Sequence, residues 1–288
     1  MDKAKFRHLD KLRSAIYGLA VGDALGVPVE FMKRGSFLVT DMKGHGTHNQ
    51  PAGTWSDDTS MTLATCDSIR KLQEINVDDI MRNFAEWYYE SSYTAHGEVF
   101  DIGGTTANAI MRYDEGFEPV KCGLDQVSAN GNGSLMRIIP LAFCDCTKEE
   151  IRNVSKLTHA HDISVMACEI FINIAQRLLE GAKIKDILNT MNFSSPFDRL
   201  ARIGELEENE IASSGYVLHT LEAALWCLLT TNSYDECVLK AVNLGEDTDT
   251  TGAVAGGLAG IVYGYDDIPK NWIEILTNKN LIEACLFT

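Results

Sequence analysis

The sequence predicts an all-α fold, a single compact domain spanning residues 1–288 in which helices pack as an orthogonal or irregular bundle. Three observations lead to this prediction. Apolar residues recur at spacings of three and four along most of the chain. Extended segments are confined to VPVEF near Val27 and FLVT near Phe37, and no Pro- or Ser-rich linker or fixed repeat divides the chain. With 288 residues, 45% of them hydrophobic, the chain can bury a large core.

The apolar periodicity places the helices in order along the chain. The two extended segments follow the first helix and are predicted to lie in a loop, so they add no sheet. About ten or more helices are expected in total. The clearest periodic segments are residues 9–21, 61–72, 80–89, 135–144, 151–157, 165–179, 221–229, 237–244 and 273–276.

Two of the expected helices carry glycine at every fourth position. These glycines are Gly18, Gly22 and Gly26 in the first helix, and Gly252, Gly256 and Gly260 near the C-terminus. Such a spacing gives a flat stripe where another backbone can approach closely. Neither segment is a dinucleotide fingerprint after a strand, and the GxxxxGK[ST] phosphate loop is absent from the sequence.

Composition narrows the class of function. The net charge of −16, with no basic patch, disfavours nucleic acid as a partner. The longest apolar or glycine stretch, residues 252–263, is shorter than the ~20 residues of a membrane span. The charged N-terminus lacks the apolar segment of a signal peptide, and eight scattered cysteines show no zinc spacing. We therefore expect a soluble cytoplasmic protein.

Two hydroxyl-carboxylate clusters, each at a predicted helix start, are the most informative feature. One follows Trp55 and the other follows Glu246. Carboxylate and hydroxyl oxygens suit hard divalent cations such as Mg²⁺ or Mn²⁺, and two such half-sites could form one binuclear centre. Either cluster alone could instead cap its helix, but paired carboxylates repel each other unless a cation neutralises them. The clusters are Ser56-Asp57-Asp58-Thr59 and Asp247-Thr248-Asp249-Thr250.

A glycine-rich loop lies between the two clusters, in ANGNGSLMRIIPLA of residues 129–142. Its Asn-Gly-Asn-Gly run predicts a turn with positive φ values that leads directly into an apolar helix. Backbone N–H groups at that helix start, with Arg137 in its first turns, would suit a diphosphate. The alternative is a plain loop with a solvent-exposed arginine. The sequence LTHAHD follows, and one of its histidines, His159 or His161, could bind a ligand or be structural.

Two further carboxylates could take part in catalysis. Glu30 lies in an apolar setting after the first helix, where it is either a surface residue or an acid/base group with a tuned pKa. Asp101 precedes Gly103 and Gly104 and a predicted helix start, so capping is its default interpretation.

Taken together, six motifs in this order resemble the ADP-ribosylglycohydrolase family. The match extends over residues 18–264, and the acidic motifs are its specific part. The family includes dinitrogenase reductase-activating glycohydrolases and hydrolases of ADP-ribosyl-arginine and ADP-ribosyl-serine. The motifs are GLAVGDALGVPVE, GTWSDDTSM, FDIGGTT, GNGSLMRIIPLA, LTHAH and GEDTDTTGAVAGGLAG.

The resemblance implies an all-helical hydrolase with two Mg²⁺ or Mn²⁺ ions at the base of a cleft that binds ADP-ribose. It implies that Glu30 is a catalytic glutamate able to reach the metals, and that Asp101 lies near the scissile bond, as in the arginine-directed branch. The implied metal ligands are Ser56, Asp57, Asp58, Asp247, Asp249 and Thr250. The implied ligand-binding residues are Asn130, Gly131, Asn132, Gly133, Ser134, Arg137 and His159.

We expect the substrate to be an ADP-ribosylated protein, with arginine as the modified residue. Glycosidic cleavage requires an activated water and a way to stabilise or protonate the leaving group, and metals together with Glu30 could supply both. A serine-linked or small-molecule ADP-ribose conjugate remains an alternative. So does a catalytically silent structural relative, although such a protein would be marked by lost metal ligands, and none is lost here.

Overall fold

The computed structural model describes residues 6–288, which form twelve α-helices joined by loops and short 3₁₀ helices. The described residues contain isolated β-bridges and no sheet, which confirms the predicted all-α class. None of these helices is both long and apolar enough to cross a membrane. The helices are α1 Leu9–Gly26, α2 Asp57–Leu72, α3 Val77–Glu90, α4 Gly104–Asp114, α5 Lys148–Lys156, α6 Asp162–Leu179, α7 Ile184–Thr190, α8 Val217–Thr230, α9 Tyr234–Val242, α10 Thr248–Tyr263, α11 Lys270–Ile275 and α12 Lys279–Cys285.

Helices α1 and α10 form the centre of the bundle, and their glycine stripes face each other. A Cβ atom on Gly22 would lie 2.0 Å from the carbonyl oxygen of Gly252, and one on Gly18 would lie 2.4 Å from that of Gly256. Only glycine permits backbones to approach so closely. The stripes were predicted to pack against other backbones, and the structure shows that they pack against one another.

Most predicted helical segments lie within observed helices, but residues 135–144 are a correction. Residues 133–137 form a turn, and a 3₁₀ helix, Ile139–Phe143, follows. Pro140 lacks an N–H group, and its ring clashes with the carbonyl oxygen four residues earlier, so it opposes a continuous α-helix. The periodic segments did not include α4, α7, α10 or α12. Of these, α10 was expected as a helix from its glycine spacing. The segments near Val27 and Phe37 lie outside any sheet, as expected.

The contact between α1 and α10 brings three helix ends together. The C-terminal end of α1 meets the N-terminal end of α10, where the Thr248 hydroxyl donates to the Gly26 carbonyl oxygen at 2.8 Å. Asp23, on the last turns of α1, also contacts the start of α2: it accepts hydrogen bonds from Ser56 N at 2.9 Å and Thr59 N at 3.0 Å. Both acidic clusters therefore begin helices that are anchored to the same end of α1.

Candidate active site

The first acidic cluster forms the N-terminal turn of α2. Ser56 is the N-cap residue, and its Oγ accepts a hydrogen bond from Asp58 N at 3.4 Å, so the capping interpretation holds for this serine. Asp57 and Asp58 occupy the first helical turn, where the positive end of the helix dipole favours negative charge. Their side chains are almost completely buried. Capping uses the Ser56 hydroxyl oxygen, so it does not explain the presence of the Asp57 and Asp58 carboxylates.

The second cluster forms the corresponding turn of α10. Asp247 is the N-cap residue, but its side chain makes no capping hydrogen bond. Asp249 lies in the first turn, and its Oδ1 accepts from Thr250 N at 2.9 Å. The Thr250 hydroxyl donates to Asp58 Oδ2 at 3.2 Å. The two clusters are thus in direct contact.

The carboxylates of both clusters converge with others into sets that could hold a metal ion. In each set the potential ligand atoms lie within 4.8 Å of one another. Asp249 belongs to two of these sets, so it could be shared by two ions. The sets are Asp23, Asp58 and Asp249; Glu30, Asp247 and Asp249; and Glu30, His48 and Asp101. Asp57 lines the same cleft but is outside these sets.

The electrostatics of the cluster fit divalent cations. Buried oxygens of Asp58, Asp247 and Asp249 have no hydrogen-bond partner. No lysine or arginine pairs with these carboxylates in the part of the chain that the structure describes. Burial, and then repulsion from neighbouring carboxylates, raises the pKa of Asp58 and Asp249 well above the ordinary range. Unpaired buried carboxylate oxygens of this kind are what Mg²⁺ and Mn²⁺ bind.

Glu30 lies beside this cluster and is buried rather than exposed. Its Oε2 is hydrogen-bonded to Nε2 of His48, and that nitrogen lies 3.8 Å from Asp101 Oδ1. Burial, and then the charges of Asp101 and Asp247, raises the pKa of Glu30 to about 10. The surface alternative for Glu30 is therefore wrong, and the residue has the environment of a tuned acid/base group.

Asp101 is not a helix cap. Helix α4 begins at Gly104 with Gly103 as its N-cap, and no side chain caps it. Asp101 instead has a positive φ of 57° and lines the cleft together with Glu30. A non-glycine residue with this backbone conformation is uncommon and indicates a local constraint.

The cleft above the carboxylates has a volume of about 310 Å³. One wall is the glycine-rich loop, in which Asn132 Nδ2 donates to Asp247 Oδ2 and to the Thr220 hydroxyl, each at 2.9 Å. Residues 101–106 and Phe31 also line the cleft. Loop residues Gly131, Asn132 and Gly133 therefore face the space that a ligand would occupy.

The rest of the predicted phosphate loop lies behind the cleft. Asn130 and Ser134 are buried and hydrogen-bond to Ser164 and Ser155, and neither lines the cleft. The predicted positive φ values are also wrong, because neither glycine of the loop has one. Glycine is required here for space: a Cβ atom on Gly133 would lie 2.8 Å from Cε1 of His159.

Arg137 is a further correction. Its side chain has no exposed surface and does not line the cleft, so the predicted contact with a diphosphate is wrong, as is the alternative of a solvent-exposed arginine. The predicted helix that would have carried it to a phosphate is absent, and the turn at residues 133–137 directs it into the core. Its Nη2 donates to the Val154 carbonyl oxygen and to the Thr158 hydroxyl.

The two histidines of LTHAHD have different environments. His159 is 2% exposed, and it lines the cleft against Gly131 and Gly133. His161 is the N-cap of α6, where its Nδ1 accepts from Ile163 N at 3.2 Å. Of the pair, only His159 is placed to contact a ligand in this cleft.

Sequence reasoning missed two residues that organise the site. Asp23 accepts backbone hydrogen bonds from the start of α2, and it was detectable as the single charged residue in an otherwise apolar and glycine-rich segment. His48 contacts Glu30 from the loop that follows α1, and its surroundings in HGTHNQ offer no recognisable spacing. Only the tertiary structure could identify His48.

Comparison with known proteins places this geometry in context. The family model described as ADP-ribosylglycohydrolase matches residues 4–286. A solved structure titled an ADP-ribosylglycohydrolase-related protein complex superposes with a TM-score of 0.83 at 32% sequence identity, covering 96% of each chain.

Curated relatives match over nearly the whole chain. The ADP-ribosylarginine hydrolase Tri1 of Serratia proteamaculans is 33% identical, over 95% of this chain and 77% of its own length. The ADP-ribosyl-[dinitrogen reductase] glycohydrolase of Rhodospirillum rubrum is 32% identical, over 94% of this chain and 91% of its own. Human ADP-ribosylhydrolase ARH3 is 23% identical, over 92% and 89%.

Proposed function

This chain belongs to the ADP-ribosylglycohydrolase family, and from that premise we propose that it is a metal-dependent hydrolase that releases ADP-ribose from modified arginine. The observation that carries the proposal is the convergence of both acidic clusters and Glu30 on one cleft. No residue of either cluster forms an ion pair with a basic side chain within residues 6–288. An enzyme is therefore favoured over a silent structural relative.

The cofactor proposed is a pair of divalent cations, Mg²⁺ or Mn²⁺. When bound, they would supply Lewis acidity that lowers the pKa of water and neutralises the clustered charge. The unpartnered oxygens of Asp58, Asp247 and Asp249 support this assignment. The proposed ligands are Ser56, Asp57, Asp58, Asp247, Asp249 and Thr250.

The reaction proposed is hydrolysis of the bond between C1″ of the ribose and a guanidino nitrogen. A water oxygen bonds to C1″, the C1″–N bond breaks with oxocarbenium-like charge on the sugar, and a proton is transferred to the departing nitrogen. We assign to Glu30 the role of holding or moving that proton at Oε2, the atom that contacts His48. Asn132 orients Asp247 through its amide, and Gly131 and Gly133 leave space for the ring of His159 beside the cleft.

Three features favour arginine as the modified residue. Asp101 could accept the fork of guanidinium N–H donors in a bidentate contact, which a serine oxygen does not offer. Phe31, 68% exposed, lines the same cleft and could stack on a planar cation. A second groove is lined by one cation, Arg34, and by four glutamates, and its net negative charge would attract a cationic substrate. The glutamates are Glu207, Glu208, Glu210 and Glu246, the last adjacent to Asp247. Relatives named for arginine hydrolysis agree with this choice.

The substrate can be an ADP-ribosylated protein or a small ADP-ribose conjugate, and we propose a cytoplasmic location. Eight cysteines without zinc spacing fit a reducing compartment.

One assay tests the proposal. ADP-ribose release should be measured from arginine-linked, serine-linked and free conjugates, each with Mg²⁺, with Mn²⁺ and with a chelator. Metal-dependent release that is fastest from arginine is the expected result. Faster release from serine would overturn the linkage, and release unaffected by chelation would overturn the metal requirement. No release from any conjugate would favour the silent relative.

A further inference from the structure

Arg137 is a fully buried cation with no carboxylate partner among the described residues. Its Nε and Nη1 atoms have no hydrogen-bond partner, and its guanidinium carbon lies 4.5 Å from the centre of the Phe84 ring. Burying an uncompensated charge is strongly unfavourable, and an apolar side chain of similar volume would serve the core at least as well. Stability therefore gives no reason for an arginine here.

The contacts of Arg137 lead to the cleft through one hydroxyl group. Arg137 Nη2 donates to Thr158 Oγ1 at 2.8 Å, and the same oxygen lies 2.8 Å from Nδ1 of His159. A guanidinium can only donate, so Thr158 uses an oxygen lone pair for Arg137. The only other hydrogen-bonding partner of the Thr158 hydroxyl in the described chain is Nδ1 of His159. If Nδ1 donated to this oxygen, the buried hydroxyl hydrogen would have no acceptor. The arrangement that satisfies both groups therefore has Thr158 donating and Nδ1 accepting.

An imidazole that accepts at Nδ1 carries its hydrogen on Nε2 when it is neutral. Burial, and then the charge of Arg137, lowers the pKa of His159 to about 3, so the neutral form dominates near pH 7. Nε2 lies next to the glycine-rich loop, 3.3 Å from the Cβ position of Gly131, and has no protein partner in the described chain. The hydrogen on Nε2 is thus available to a ligand in the cleft.

We propose that Arg137 and Thr158 are positioning residues that hold His159 as a neutral hydrogen-bond donor, its Nε2 hydrogen directed at an oxygen of ADP-ribose. The identity of the ligand rests on the proposed function, whereas the tautomer is a property of the free protein. Arg137 would thereby act on the ligand without touching it. An imidazole protonated at Nδ1 alone would present a lone pair instead of a hydrogen at Nε2, and it would lose the bond to an acceptor oxygen of the ligand.

Nitrogen NMR tests whether Arg137 and Thr158 set the tautomer of His159 in the intact chain, an arrangement called the relay below. In ¹⁵N-histidine-labelled protein, long-range ¹H–¹⁵N spectra distinguish a protonated from an unprotonated ring nitrogen, and a His159→Gln variant assigns the signal. The expected wild-type pattern is a protonated Nε2 with an unprotonated Nδ1 near pH 7. Thr158→Val should give a mixture of the two tautomers, whereas Thr158→Ser should restore the wild-type pattern. Ser155→Ala is the matched control, because Ser155 Oγ contacts the His159 backbone oxygen rather than its ring.

Calorimetric titration with ADP-ribose in Mg²⁺ gives a second readout. Thr158→Val should raise the Kd for ADP-ribose roughly ten-fold or more, as expected for loss of a hydrogen bond to a charged ligand. The Kd of Thr158→Ser and of Ser155→Ala should stay close to that of the wild type. If Thr158→Val does not fold, Arg137→Met removes the donor to Thr158 and should raise the pKa of His159. A wild-type His159 protonated at Nδ1, or a Thr158→Val spectrum identical to wild type, would overturn the relay. A wild type that does not bind ADP-ribose would overturn the proposed function, while the spectra would still decide the tautomer.

Discussion

The Thr250 hydroxyl donates to Asp58 Oδ2 at 3.2 Å, and this bond joins the first turns of α10 and α2 through two residues that are 192 positions apart in the chain. It brings the two acidic clusters, each of which could have been a simple helix cap, into one buried group. Their proximity is unfavourable unless positive charge is supplied, because no basic side chain pairs with them in the described structure.

Divalent cations should stabilise the protein. Added Mg²⁺ or Mn²⁺ at about 100 times its Kd should raise the free energy of unfolding by about 2.7 kcal/mol for one site, seen as a rise in Tm. Asp249→Ala should lose most of that rise, because this carboxylate belongs to two of the candidate metal sets. Asp266→Ala, at an exposed aspartate, is the control. An unchanged Tm in the wild type, with activity that survives chelation, would contradict the binuclear centre.

Glu30→Gln should fold and turn over slowly. Loss of a proton-transfer group typically lowers the rate by ~10² to 10⁴-fold. The measurement is kcat for ADP-ribose release, with Tm to verify the fold, and Glu90→Gln at an exposed glutamate is the control. A kcat within a few-fold of wild type would remove Glu30 from the catalytic group.

Asp101→Asn should lower activity on arginine-linked ADP-ribose more than on serine-linked ADP-ribose. The amide replaces one acceptor oxygen with a donor, which faces the guanidinium N–H groups instead of accepting from them. The measurement is kcat/KM on both linkages. An equal loss on both would show that Asp101 acts on the sugar or the metals rather than on the leaving group.

Asp23→Asn should weaken both stability and metal binding. The amide would keep one acceptor oxygen and present its NH₂ group toward an N–H group that the other oxygen now faces, at Ser56 or Thr59, which costs about 1–3 kcal/mol for a buried unsatisfied group. Misplacing the start of α2 should also weaken metal affinity by roughly 10 to 100-fold. Urea denaturation and metal titration measure the two effects. Stability lost with unchanged metal affinity would restrict Asp23 to folding.

Gly22→Ala should destabilise the centre of the bundle. The new Cβ would meet the Gly252 carbonyl oxygen at 2.0 Å, and backbone cannot rotate away as a side chain can, so a loss of about 1–3 kcal/mol or more is expected. Gly204→Ala is the control, because its Cβ would make only an ordinary contact at 3.7 Å. Equal denaturation midpoints for the two variants would contradict close α1–α10 packing.

The fold class and the acidic clusters could be predicted from the sequence because both depend on local patterns. Apolar spacing of three and four indicates an amphipathic helix wherever it occurs, and Ser56 or Asp247 at a helix start is legible from neighbouring residues. The glycine spacing likewise predicted close packing. Apolar spacing alone can still predict a helix wrongly: Pro140 has no N–H group, and residues 135–144 do not form the α-helix that their apolar pattern favoured.

Directions of side chains and contacts between distant residues were decided only by the tertiary structure. In the sequence, Arg137 follows a glycine-rich loop of the kind that binds phosphate groups. In the structure, the guanidinium is buried in the core, where it donates a hydrogen bond to Thr158. His48 meets Glu30 because a loop folds back on α1, and no spacing encodes that meeting. The sequence by itself determined which residues could bind metal, begin a helix or leave room for a backbone. Which of them share one cleft depended on how α1, α2 and α10 pack, because contacts between residues far apart in the chain form only when the helices assemble.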